Sequence, residues 1–250
     1  MRGVFTDIDD TITTGGRLTA DVFVAMERLR EAGLLVIPIT GRPAGWCDMI
    51  ARQWPVDAVV GENGAFYYRY DESARQMIRV STQNAEGRAE SWKRLEAIRD
   101  EVLSEVSGSA VSADQAFRIS DLAIDFCEDV EPLSESEIRR IVEIFVRHGA
   151  TAKVSSIHVN GWFGDFDKLT MTHRLMSEQF AVDLDDALHV FTFVGDSPND
   201  APMFRFFPNA VGVANLLELL DKCDAQPAWL TSRPRGAGFV ELADRILALK

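Results

Sequence analysis

The chain has 250 residues, 46% of them hydrophobic, enough for one large domain or two modest ones around an apolar core. Asp and Glu total 39 against 26 Lys and Arg, a formal net charge of −13 that disfavours general binding to nucleic acid or to an anionic membrane. Three widely spaced cysteines, Cys47, Cys127 and Cys223, give neither a zinc signature nor a disulfide framework; with no signal-type leader and no apolar run of membrane-spanning length, a soluble cytoplasmic protein is expected.

The first predicted element is a short buried strand at Gly3–Phe5. An amphipathic helix follows over Asp21–Ala32, with Val22, Met26 and Leu29 on one face and Gly33 closing it. Leu34–Ile39 is a continuous apolar strand, as in a sheet covered on both faces. A helix over Pro43–Gln53 and a strand over Ala58–Val60 complete a strand–helix–strand–helix–strand rhythm, the sign of a parallel sheet. Ala65–Tyr70 and Gln76–Val80 read as a hairpin around Asp71–Ala74.

The character then changes. A long charge-rich helix over 84–107, a strand over Leu122–Phe126, a helix over Ser134–His148 and one strand over Ala152–Val159 predict a separate α+β unit spanning 83–161. The βα rhythm returns with a helix over Lys168–Phe180 and an apolar strand over Val190–Val194. A short helix at Ala201–Phe206, a strand at Asn209–Val213 and helices at Leu216–Lys222 and Gly238–Ala248 follow. The fold class expected is α/β: a Rossmann-like, doubly wound parallel core built from 1–82 and 162–250, with an α+β unit inserted between them.

Four segments fall on predicted strand ends or helix starts, where ligands bind in such sheets. Asp7 and Asp9 follow the first strand; two apart in extended chain, their carboxylates are expected to converge, an arrangement that suits a hard cation, a nucleophile and an acid/base. Thr40-Gly41-Arg42 follows the second strand with a hydroxyl, an unhindered N–H and a helix start, suited to phosphate oxygens or simply to a turn with an N-cap. Lys168 heads a helix, the end that favours anions; an anionic partner explains it, and so does plain exposure. Gly195-Asp196-Ser197-Pro198-Asn199-Asp200 ends an apolar strand in oxygen ligands of the kind Mg²⁺ takes, or is a capped helix start.

In order and spacing these segments resemble the haloacid dehalogenase superfamily: Asp-x-Asp-x-Thr, then Thr, then Lys, then Gly-Asp-x-x-Asn-Asp. The position of the insertion is similar to that of the large-cap branch, subfamily IIB, which includes sucrose-phosphate phosphatases, mannosyl-3-phosphoglycerate phosphatases and Cof-type sugar phosphatases. The resemblance implies a Mg²⁺-dependent phosphatase. By it, Asp7 is the nucleophile and a metal ligand, and Asp9 is the acid/base with its backbone carbonyl on the metal. Thr40, with Gly41, and Lys168 hold the phosphoryl group; Asp196 ligates Mg²⁺, and Asn199 and Asp200 support the metal shell or orient Lys168. Asp10 departs from the Gly of many relatives, and Asn63 reaches the site in relatives.

Specificity is expected in the inserted unit, acting as a cap over the strand ends. In the stretch Ser155–Trp162, His158 and Asn160 share one face and Trp162 offers a platform for a sugar ring; the plain alternative is a solvated polar face with a packed Trp. Arg42 suits a second anionic group of the substrate or a local carboxylate. The partner expected is a small phosphorylated metabolite, a sugar phosphate or glycosyl phosphoglycerate. A phosphomutase and a non-catalytic binding module are the alternatives; a dinucleotide-binding dehydrogenase is disfavoured because no Gly-x-Gly-x-x-Gly follows the first strand.

Overall fold

A computed structural model describes all 250 residues. Five parallel strands form one sheet, in the order Trp229–Leu230, Val211–Gly212, Phe191–Gly195, Gly3–Thr6, Leu35–Pro38. Gly3–Thr6 is flanked on both sides, with Phe5 opposite Phe193 and Ile37. The strands Gly3–Thr6, Leu35–Pro38 and Phe191–Gly195 are mostly apolar because both of their faces are covered. Val4, Val36 and Val194 pack with the helices Ala20–Glu31, Ala44–Gln53 and Arg235–Ala248. The alternate residues Phe5, Ile37 and Phe193 pack with the helices Lys168–Phe180 and Ala201–Phe206 on the other face. This is the doubly wound α/β core that the sequence predicts.

Three local readings are corrected. Val59–Gly61 is not a further strand of the parallel sheet: it pairs antiparallel with Phe66–Asp71, which pairs with Gln76–Ser81. One parallel bridge, Ile39 to Val60, joins this three-stranded sheet to the first. Ala152–Val159 is not one strand but two, Thr151–Val154 and His158–Trp162, antiparallel to each other. No Gly or Pro marks that turn; the Ser155 hydroxyl makes it by accepting the N–H groups of Ile157 and His158. Ala214–Lys222 is a run of 3₁₀ turns rather than an α-helix.

Between Gln76–Ser81 and Lys168 the chain builds a second layered unit. A four-stranded antiparallel sheet, ordered Thr151–Val154, His158–Trp162, Asp121–Asp125, Ala110–Val111, is backed by the helices Ala85–Glu105 and Glu135–Arg147. It has its own apolar core, in which Leu122, Ile124 and Val159 meet Leu95, Ile98, Ile144 and Phe145. Asn84 caps the first helix by accepting the Gly87 N–H, and Ser134 and Glu137 form a reciprocal cap on the second. The alternate residues Asp121, Asp125, His158 and Asn160 are also buried, so the polar face of this sheet is covered rather than solvated. No helix is long and apolar enough to cross a membrane.

Candidate active site

The carboxyl ends of three adjacent parallel strands, Gly3–Thr6, Leu35–Pro38 and Phe191–Gly195, deliver Asp7, Thr40 and Asp196 to one end of the sheet. The Asp7 N–H extends the ladder by one bond to Val194 O, 2.9 Å. The chain then turns sharply: the Ile8 carbonyl accepts the N–H groups of Thr11, Ile12 and Thr13, and Asp10 has φ 54°. Asp7 and Asp9 both line the cavity above, yet the pleat does not align them as the sequence suggests. The strand ends at Thr6, and the two carboxylates take different partners.

Asp7 Oδ1 accepts a hydrogen bond from Lys168 Nζ at 2.8 Å, and Lys168 gives another to Asp200 Oδ1 at 2.8 Å. Lys168 is buried at the first residue of its helix, whose start is fixed by the reciprocal Asp167–Thr170 cap. A lysine tolerates that positive helix end because two carboxylates hold it. Asp200 Oδ2 accepts the Asp196 N–H at 3.2 Å; the Asp196 carboxylate accepts from Thr11 Oγ1 and from Asn215 Nδ2, which also bonds the Asp10 carbonyl.

One oxygen each of Asp7, Asp196 and Asp200 lie within 4.8 Å of one another, all three residues buried. Burial pushes the Asp7 carboxyl up to about 7, against the pull of Lys168 and with Asp200 and Asp9 adding to the rise. Burial, then the Asp7 and Asp200 charges, raise Asp196 well above the ordinary carboxylate range. Burial disfavours the Lys168 ammonium, but Asp200 and Asp7 outweigh it and raise its pKa. Three crowded carboxyls share a single ammonium, and the surplus of negative charge calls for a cation. The all-oxygen donor set fits a small hard dication such as Mg²⁺.

Arg42 holds Asp9 by a bidentate pair: Nε to Oδ2 at 2.9 Å and Nη2 to Oδ1 at 2.8 Å. Its guanidinium stacks on the Trp46 ring, and burial is outweighed by Asp9 and Glu128 so that its pKa is raised. Of the two roles open to Arg42 in the sequence, the structure shows the local carboxylate. Thr40 Oγ1 accepts the Arg42 N–H and the Thr40 carbonyl accepts the Asn63 N–H, while Gly41 and Asn63 line the cavity. Asn199 also lines it, its Oδ1 taken by Ser197 Oγ.

The inserted unit supplies the other wall: Arg118, Ser155, Ser156, Ile157, His158 and Asn160. Asn160 Nδ2 bonds Asp121, and His158 Nε2 lies 2.9 Å from Glu128 Oε2. Trp162 does not face the cavity. It is buried and stacked on Phe166, 5.5 Å between ring centres, so the sugar-platform reading fails and the packed-Trp reading holds.

Four residues of this seam carry no sequence motif. Arg118 bonds Asp114, Asp121 and the Gly41 carbonyl, and Glu128 bridges Arg42 and His158. Asn215, on the core side, holds the Asp10 carbonyl and the Asp196 carboxylate. Glu62 adjoins Asn63 and is the one whose neighbour offered a signal. Wholly buried, its carboxylate accepts N–H groups from Ala44, Ile119, Ser120 and Asp121, tying the core helix start to the inserted unit. Glu62→Gln would set an amide NH₂ against those donors. Its expected cost is about 2–4 kcal/mol, at about 1–3 kcal/mol for each buried polar group left unpaired. A lowered urea midpoint at unchanged slope is the check.

The family model described as haloacid dehalogenase-like hydrolase matches residues 4–121. No curated protein matches the sequence. Among solved structures, Thermoplasma acidophilum 0175 superimposes with a TM-score of 0.75 at 15% identity, covering 99% of this chain and 98% of that one. The HAD subclass IIB sugar phosphatase BT4131 gives 0.68 at 13%, covering 100% of both chains. The sucrose-phosphatase of Synechocystis sp. PCC6803, in complex with sucrose and phosphate, gives 0.66 at 15%, covering 98% of both. Residues 4–121 thus match the haloacid dehalogenase-like hydrolase family in sequence, and the whole chain shares the fold of these solved structures.

Proposed function

We propose that the protein is a Mg²⁺-dependent phosphatase that hydrolyses a small phosphorylated metabolite, a sugar phosphate or glycosyl phosphoglycerate, through an aspartyl phosphate on Asp7. The observation that carries this reading is the buried Asp7–Lys168–Asp200 bridge with Asp196 beside it. Similarity of fold to a sugar phosphatase and to a sucrose-phosphatase agrees with it. Residues 83–161 act as the cap that closes the pocket, and three unpaired thiols suit a cytoplasmic setting.

Asp7 and Asp196 would hold the ion; both oxygens of Asp200 are engaged, one by Lys168 and one by the Asp196 N–H, so Asp200 orients the pair and supports the ion's outer shell. When bound, Mg²⁺ neutralises phosphate charge so that an anionic nucleophile can approach. Lys168 and the Thr40–Gly41 turn hold the phosphoryl oxygens. Asp7 attacks phosphorus while Asp9 gives its proton to the leaving alcohol; Asp9 then takes a proton from the water that cleaves the aspartyl phosphate. Arg42 fixes the Asp9 carboxylate at the mouth of the site.

The test is a phosphate-release screen over sugar phosphates, glycosyl phosphoglycerates, phosphoglycolate and nucleotides, with Mg²⁺ and with EDTA. Release from at least one ester, lost in EDTA, is expected. Undiminished release in EDTA, or none from any ester, would end the reading; an isomer without free phosphate would make the protein a phosphomutase. Mg²⁺ should also stabilise the fold directly. At one hundred times its dissociation constant the expected gain is about 2.7 kcal/mol, read as a rise in Tm over the EDTA-treated protein. Asp196→Asn should abolish most of that rise.

A further inference from the structure

Arg42 from the core and His158 from the inserted unit are the two cavity residues that a second anionic group on a substrate would meet first. Neither is free. Glu128 Oε1 is 3.2 Å from Arg42 Nη2, and Glu128 Oε2 is 2.9 Å from His158 Nε2. Asp9 takes the Nε edge of Arg42, and Asp114 lies 3.6 Å from Nη1. Arg118 is spent on Asp114, Asp121 and the Gly41 carbonyl. Four carboxyl groups, Asp9, Asp114, Asp121 and Glu128, thus surround two guanidiniums.

Glu128 is also the residue best placed to be selective. Asp121 is wholly buried within the network, whereas Glu128 keeps 31% of its side chain exposed. Its loop is preset, because the Asp125 carboxylate accepts the N–H groups of Cys127, Glu128 and Asp129. His158, then Arg42, hold its carboxyl below the ordinary range, so it stays an anion. Ile157 is the one apolar residue of the cavity lining, and no Phe, Tyr or Trp lines it.

We infer that Glu128 is a specificity-determining residue: by occupying Arg42 and His158 it excludes a second anion, so the leaving group is a neutral polyhydroxylated alcohol rather than a hydroxy acid, a bisphosphate or a nucleoside. The inference rests on the phosphatase reading of the same pocket and narrows it to uncharged sugar or polyol monophosphates. Asn160 and Ser156 place neutral polar side chains along the same wall. A substrate carboxylate there meets like charge in a partly desolvated site, which costs specificity heavily.

The test compares matched esters under Mg²⁺: glucose 6-phosphate with 6-phosphogluconate, and glycerol 3-phosphate with 3-phosphoglycerate. The wild-type protein is expected to favour the neutral member by about 100-fold in kcat/KM. In E128Q, which removes the negative charge facing Arg42 and His158 while keeping the side-chain shape, that ratio should fall at least about 10-fold, whatever happens to the overall rate. Should E128Q not fold, the wild-type ratio alone decides. Equal turnover within the pairs, or a ratio unmoved in folded E128Q, overturns the inference. p-Nitrophenyl phosphate separates the two levels: its Asp7-dependent hydrolysis with no preference within the pairs removes the role of Glu128 and leaves the phosphatase standing, whereas failure on every ester removes both.

Discussion

Asp7→Asn is expected to lower kcat by about 10⁴-fold or more while the protein stays folded. Losing a nucleophile removes the covalent route altogether, and the residual rate then comes from the remaining binding and electrostatic groups. The fold has little reason to suffer. Asp7 is buried beside Asp196 and Asp200, whose like charges oppose its ionisation, and an amide keeps its shape and can still accept from Lys168 Nζ. In EDTA the variant should therefore melt no lower than the parent. The checks are phosphate release and thermal unfolding side by side, with acid-quench trapping of phosphorylated protein in the parent and its absence in the variant. Near-parental turnover would take the nucleophile away from Asp7.

Gly64→Ala is expected to be the most damaging single-methyl substitution at the site. Glu62, Asn63 and Gly64 are three successive residues with positive φ, at 42°, 54° and 105°. A Cβ on Gly64 would stand 2.0 Å from the Asp167 carbonyl oxygen and 2.9 Å from the Lys168 nitrogen. Backbone offers no flexible end to yield, so the turn and the start of the Lys168 helix must separate. The expected loss is about 3 kcal/mol or more of stability. Displacing Lys168 by about 1 Å should lower kcat about 100-fold as well. Urea unfolding and steady-state rates measure the two effects; parental values for both would show that the turn does not set the helix.

The parallel core was legible because its strands announce themselves. Leu35–Pro38 and Phe191–Gly195 are apolar runs bounded by turns, and the chemistry-bearing residues sit at their ends, where topology gathers them. The place of Lys168 at a helix start leaves exposure and an anionic partner both open, and only the order of the four motifs assigns it to the site. The seam was not legible. Arg118, Glu128 and Glu62 act through tertiary pairing across long sequence separations, and a buried charged residue is written with the same letter as an exposed one. The polar alternation of His158 and Asn160 showed which side chains share a face but not whether water or protein covers it. Trp162 shows the converse: an aromatic beside polar residues packed inward against Phe166. The turn at Ser155 escaped because a serine hydroxyl did what Gly or Pro usually signals.

The way Glu62 grips the inserted unit has a consequence for how this protein can vary. All four of its donors are main-chain groups, three of them at Ile119, Ser120 and Asp121, and every amino acid but proline provides such a group. The grip is thus blind to the identity of residues 119 and 120. A saturation library there should tolerate broad replacement and reject proline, whereas Glu62 itself should accept almost nothing.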